Sequence, residues 1–182
     1  MSVDNIDDFS ILLLEQSKRF LEKASVTTDP DSISAFCHAS LLLGFSSLEA
    51  HMNALSDDLI LRPNLGILEQ SILKEREFVQ DKGRFKLTNK LKMYRLEDRL
   101  MFMFANFSTG AIPKSLPWWS VLQEGIDLRN RLVHPKENMQ LKHVDVARVV
   151  EAIVACLDAL YKALFGKPHP LYKRGLDSKL AF

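Results

Sequence analysis

The 182-residue chain has little of what marks several large classes of protein. It has only two cysteines, Cys37 and Cys156. Each sits in an apolar helical run, and neither belongs to a Cys-x-x-Cys pair or a Cys/His cluster, so a disulfide scaffold or a thiolate metal site is not expected. Both read as buried thiols in a reducing compartment. Charge of one sign is missing too: 24 Lys+Arg stand against 23 Asp+Glu, a formal net charge of +1. That balance gives no global electrostatic drive toward nucleic acid, so any such contact has to use a local patch or an assembled dimer. Residues 1–10 hold Asp4, Asp7 and Asp8 and no basic cluster, which argues against a secretory leader. No stretch alternates strictly over five or more residues, and no segment repeats, so strands and solenoids are not expected.

What is present is helical periodicity. Residues 5–24 carry Ile6, Phe9, Leu13, Phe20 and Leu21 at helical spacing, and Thr27-Thr28-Asp29-Pro30 breaks the pattern. Asp29 or Asp31 can cap a second helix over about 33–56. That run is apolar nearly all round, which implies burial on most sides. The stretch 32–56 also contains Glu49, His38, His51, Asn53 and six serines, so it reads as a central core helix and not as a membrane span. Further helices are expected over about 65–80 and 89–104, with a turn at Asp81–Arg84 between them. A loop over 107–117 holds the breakers Gly110, Pro113 and Pro117. A fifth helix opens at Trp118 and stops near Val133, because Pro135 disfavours helical backbone at His134. The last helix covers about 143–165 and ends at Gly166, a good C-cap. The expected fold is all-α, an antiparallel bundle of five to six helices, with one domain over 1–166 and a basic C-terminal extension over 167–182.

One charge is out of place. At about 100° per residue, Val121, Leu122, Gly125, Ile126, Leu128, Leu132 and Val133 share an apolar face, and Arg129 falls in the middle of it. Gln123, Asp127, Asn130 and Arg131 lie opposite. An isolated charge on a core-facing stripe costs at least several kcal/mol, so Arg129 needs an acidic partner, a cleft or an interface. Glu49 is the sole formally charged residue between Asp31 and Asp57 and is the expected partner. Alternatively, Glu49 reaches solvent at a helix edge. Asn130 and His134 are four apart and can share a face near the helix end. A histidine in a polar, partly open setting titrates near neutral pH, which suits proton transfer. The plainer readings are that Arg129 only pairs with Glu49 and that His134 caps helix carbonyls. For Arg131 and Lys136 they are solvated flank residues. Trp118 and Trp119 can stack bases, though anchoring the helix start is the simpler role. His38 and His51 read as core histidines.

The stretch Asp127-Leu128-Arg129-Asn130-Arg131-Leu132-Val133-His134-Pro135 resembles the signature of the HEPN superfamily: an arginine, usually followed by asparagine, then a histidine after four intervening residues at a helix end. The stretch Ala39–Ala50 also resembles that family's central helix with its buried acidic position, here Glu49. The resemblance covers roughly residues 30–165. It implies a helical bundle that dimerises and sets two such motifs in one cleft. It further implies a metal-independent endoribonuclease, a toxin or defence effector, or a non-catalytic module that binds a nucleotide or a protein partner. On that resemblance Arg129, Asn130 and His134 are catalytic and Glu49 supports Arg129. Apart from the resemblance, Arg131 and Lys136 can add an RNA-binding rim. RNA, a second copy of the chain and a nucleotidyltransferase-type antitoxin are the partners. No metal or other cofactor is implied, and the setting is cytoplasmic, away from membranes.

Overall fold

A computed structural model describes residues 6–108 and 113–182, so Asp4 and Gly110 lie outside the described residues. Six α-helices and one β-hairpin make up the described fold. Helix α1 (Ile6–Val26) and helix α2 (Pro30–Leu59) form a hairpin. Its bend is set by Asp29, whose carboxylate accepts from the Ser32 amide at 2.9 Å, while Pro30 occupies the first turn. Helix α2 is the centre of the molecule. Cys37, Leu41, Phe45, Leu48, Met52, Leu55 and Leu59 are all buried along it. By length and composition alone α2 could cross a membrane. Here α1 covers most of one flank, and α3 to α6 each contact the rest.

Small residues let the helices approach closely. Ser17 Oγ donates to the Ser40 carbonyl at 2.8 Å, and Ser47 Oγ donates to the Ser10 carbonyl at 2.7 Å. These two hydroxyls stitch α1 to α2, each with its own donor paired. A Cβ on Gly44 would stand 3.1 Å from both Ser17 Oγ and Ile153 Cδ1. The constraint at Gly125 is tighter. A Cβ there would lie 2.4 Å from Val149 Cγ1 and 3.1 Å from Phe45 Cζ. Glycine is therefore what lets helix α5 (Trp118–Val133) lie against both α2 and helix α6 (His143–Phe165). Helix α6 ends at Gly166, in left-handed backbone with φ 68°, as its spacing predicted. Cys37 and Cys156 are free and buried, and burial raises both thiol pKa values.

The expectation of no strands is overturned. The segment read as helices over 65–80 and 89–104 holds a short helix α3 (Ile67–Lys74), strands β1 (Arg76–Asp81) and β2 (Arg84–Leu91), and helix α4 (Leu96–Phe107). Glu75 stops α3 in left-handed backbone, φ 48° and ψ 48°. Lys82 and Gly83 both take positive φ, 48° and 79°, closing a two-residue antiparallel turn between Asp81 and Arg84. Charges pair across the strands, Lys86 with Asp81 at 2.6 Å and Lys90 with Glu77 at 3.1 Å. Most of the hairpin is open to solvent. With neither face buried, its residues carry no alternating pattern for a sequence reading to find.

The segment 167–182, expected as a basic surface extension or an arm to a partner, folds back along α1. Arg174 pairs with Glu15, the Ser178 amide donates to Glu22 at 2.8 Å, and Phe182 packs edge-on against Phe20. Its root is a buried pair of histidines. His51 Nδ1 donates to the Ser47 carbonyl at 2.8 Å, which leaves His51 Nε2 as an acceptor. His169 Nε2 fills that position at 3.2 Å, and His169 Nδ1 accepts from the Leu171 amide. The partners assign both rings as neutral, with one proton on a defined nitrogen of each. Burial lowers both pKa values, and His51 adds to the effect on His169, whose pKa falls to about 4.

A group whose folded pKa is depressed contributes stability at high pH. That stability is present above the unfolded value of about 6.5 and is lost as pH falls through the folded value. Thermal melts between pH 6.5 and 4.5 are therefore expected to show a falling Tm with a shallower slope in His169→Gln, which keeps a donor and an acceptor but does not titrate. Parallel slopes would mean that the pair is not what acid disrupts.

Candidate functional site

The last two turns of α5 carry the motif. Gly125 seats the helix against Phe45, and Arg129, one turn on, lies over the same ring, 5.6 Å from guanidinium carbon to ring centroid. Arg129 Nη2 donates to Glu49 Oε1 at 3.0 Å. The two side chains thus meet as the helical geometry of α5 requires, but neither is fully buried: Arg129 is 24% exposed and Glu49 41%. The acidic position expected as buried is open on one side. Arg129 Nε is enclosed and has no hydrogen-bond partner, so the guanidinium keeps unused donor capacity.

Beside it stands a second arginine that the sequence reading missed. Arg99 of α4 is 4% exposed and pairs with Glu75 at 2.9 Å. It also donates to Asn53 Oδ1 at 3.0 Å. Burial lowers its pKa, and the charges of Glu75 and Glu49 oppose that shift. Glu49 and Asn53 are one turn apart on α2, so arginines from α5 and α4 converge on adjacent positions of one helix. The signal for Arg99 was the same as for Arg129: it falls on an apolar stripe, here Leu96, Leu100 and Met103. The two arginines border a cavity of about 600 Å³ whose rim includes Tyr94, Arg95, Glu97 and Asn130.

His134 caps α5. Its amide donates to the Asn130 carbonyl at 2.9 Å, and its backbone leaves the helix at φ −123° and ψ 64°, the departure that Pro135 demands. The ring is exposed and, among the described residues, has no hydrogen-bond or ion-pair partner. His134 lines a separate depression of about 580 Å³ with Asp127, Asn130, Arg131, Lys136 and Glu137. Asp127 and Asn130 also line the first cavity, so they form the ridge between the two. Arg129 and Glu49 are therefore brought together, and Asn130 stands beside both Arg129 and His134. His134 opens onto the neighbouring depression and does not touch Arg129. Arg131 is exposed and pairs with Glu137 at 2.9 Å, while Lys136 is exposed on the same rim. Trp119 is buried and Trp118 half-buried, edge-on to each other, with Trp118 against Phe104. They anchor the start of α5. Among the described residues, no three His, Cys, Asp or Glu side chains gather as a metal site.

Comparison with family models, with curated proteins and with solved structures finds no match to this chain. The reading of the site therefore rests on its own geometry.

The two arginines differ in what their loss should do. A partly exposed pair such as Arg129–Glu49 contributes about 0–1 kcal/mol. Removing one partner of a buried pair costs about 3–5 kcal/mol. Arg129→Met is expected to leave Tm within about 3 °C of wild type, and Arg99→Met to lower it by roughly 10 °C or more. Calorimetry of the two variants checks this, and equal losses would mean that Arg129 is as structural as Arg99.

Proposed function

We propose that the chain is a HEPN-type, metal-independent endoribonuclease with a HEPN-like bundle, acting as a homodimer in the cytoplasm. The observation that carries the reading is the state of the two motif side chains. Arg129 is held to Glu49 through Nη2 yet stays 24% exposed at the cavity wall, and His134 has an unpartnered ring on the same exposed end of α5. A residue kept only for stability would be enclosed among its partners, as Arg99 is.

The chemistry these groups suit is attack of an RNA 2′-hydroxyl on the adjacent phosphorus. The 2′-oxygen gains a bond to phosphorus, and the bond from phosphorus to the 5′-oxygen breaks. One proton leaves the 2′-oxygen and one reaches the 5′-oxygen, giving a 2′,3′-cyclic phosphate and a 5′-hydroxyl. His134 moves one of these protons. Arg129, positioned by Glu49, places its open donors on the phosphoryl oxygens as charge builds there. Asn130, on the ridge, orients the phosphate or the imidazole. Because one His134 serves one proton, a second copy of the chain facing the first would supply the other. Arg131 and Lys136 would form the rim along the RNA. A toxin or defence role, with a nucleotidyltransferase-type antitoxin as partner, follows from the resemblance alone.

A second reading is a non-catalytic module that binds a nucleotide or a protein. The near-neutral charge and the carboxylates Asp127 and Glu137 beside His134 favour it, since neither attracts a polyanion.

The test is RNA cleavage by purified protein with EDTA present. Wild type is expected to leave 2′,3′-cyclic phosphate ends, and His134→Ala and Arg129→Ala to lose at least about a hundredfold in rate. Equal background from all three proteins over a range of RNAs would establish the second reading.

A further inference from the structure

The cavity beside Arg129 is an unusual neighbour for a phosphate. Its charged lining balances Arg95, Arg99 and Arg129 against Glu49, Glu75, Glu97 and Asp127. A second phosphate entering it would meet carboxylates, so the cavity is not a simple continuation of an anion groove. Its volume of about 600 Å³ is far beyond what a bridging water needs, and it is in the range of small-molecule sites.

The polar groups with spare capacity are of both kinds. Arg95 is exposed and makes no ion pair among the described residues. Glu97 accepts from Gln123 Nε2 through Oε1 at 3.0 Å, which leaves its second oxygen open. Glu49 likewise keeps Oε2 open beyond its bond to Arg129. The Tyr94 hydroxyl is tied to Ser71 Oγ at 2.8 Å, which fixes the ring as one wall. A flat, neutral group with an N–H edge on one side and oxygen or ring-nitrogen acceptors on the other satisfies this arrangement. Among the nucleobases, guanine combines adjacent N1–H and N2–H donors, which suit a carboxylate, with O6 and N7, which suit a guanidinium. Adenine lacks that paired donor edge, and a pyrimidine fills less of the space.

We propose that this cavity is a guanine-selective base pocket. It holds the base next to the phosphate that Arg129 contacts, with Glu97 reading the N1–H/N2–H edge and Arg95 the O6/N7 edge. This rests on the reading of Arg129 as a phosphate ligand, because Arg129 lines the pocket and Asn130 lines both the pocket and the depression that holds His134. The base pocket would set which nucleotide flanks the cleaved bond.

The test is titration of the full chain with the four ribonucleoside 3′-monophosphates and with inorganic phosphate, followed by NMR or calorimetry. The guanosine nucleotide is expected to bind at least about tenfold tighter than the other three. Glu97→Gln and Arg95→Ala should each remove most of that preference while leaving inorganic phosphate binding unchanged. Arg129→Ala should weaken all four nucleotides and inorganic phosphate alike. Equal binding of the four nucleotides, or a guanine preference that both pocket variants retain, overturns the pocket. The two readings fail separately. Cleavage without base preference would sink the pocket and keep the nuclease. Guanine preference without cleavage would keep the pocket and turn the chain into a nucleotide-binding module.

Discussion

Helix α2 has to satisfy two demands that conflict. It is buried along most of its length and so must be apolar on nearly every side, yet at Glu49 and Asn53 it presents two polar side chains one turn apart. Arginines answer both: Arg129 reaches Glu49 from α5, and Arg99 reaches Asn53 from α4 while also pairing with Glu75. This strip is where α2, α4 and α5 meet the root of the hairpin. Glu75 is the residue at which α3 stops and β1 begins, so the same ion pair that neutralises Arg99 also fixes where the hairpin leaves the body. Without polar partners on α2, neither arginine could sit where it does, and the cavity between them would close on apolar side chains.

The two ion pairs divide the work by burial. Arg99 is held by Glu75, Asn53 and the Leu73 carbonyl through both terminal nitrogens and is almost fully enclosed. A charge in that setting is held by the cost of separating it from its partners, and it is unsuited to meeting a ligand. Arg129 is set at the cavity wall, backed by Phe45 and held by one carboxylate oxygen. Its position is over-determined but its donors are not. Gly125 matters to this difference because Val149 and Phe45 leave no room for a side chain. Any residue larger than glycine would move α5 outward and carry Arg129 away from Glu49.

Much of this was legible in the sequence. A charge on an apolar stripe needs a partner, and the chain offered Glu49 alone within the long second helix. The end of α5 followed from Pro135, the bend before α2 from Asp29 and Pro30, and the end of α6 from Gly166. The hairpin was not legible, because its strands are mostly solvated and carry no alternating apolar pattern. Lys82-Gly83 was visible as a turn, but a turn between two exposed segments does not say whether helices or strands flank it. Arg99 was within reach, since it sits on the stripe of Leu96, Leu100 and Met103 as plainly as Arg129 does on its own. The return of the tail onto α1 depends on Glu15, Glu22 and His51, acceptors spread over two helices, and no local pattern announces a contact of that range.

The histidines show how the fold separates structure from chemistry within one residue type. His51 and His169 are each locked into a single tautomer by partners on both nitrogens, and burial keeps both rings neutral. A proton added to either would face an N–H donor, so neither ring can carry a proton through a reaction cycle. His134 has the opposite surroundings: an exposed ring, no partner on either nitrogen among the described residues, and a backbone released from the helix by Pro135. Proton transfer requires a ring that is populated in both forms and can reach a reacting atom. His134, the residue after the last one of α5, is open to solvent five positions beyond Arg129. One end of α5 thus carries an arginine held by Glu49 and, just past it, an imidazole without a partner among the described residues, while the molecule's paired histidines are enclosed elsewhere.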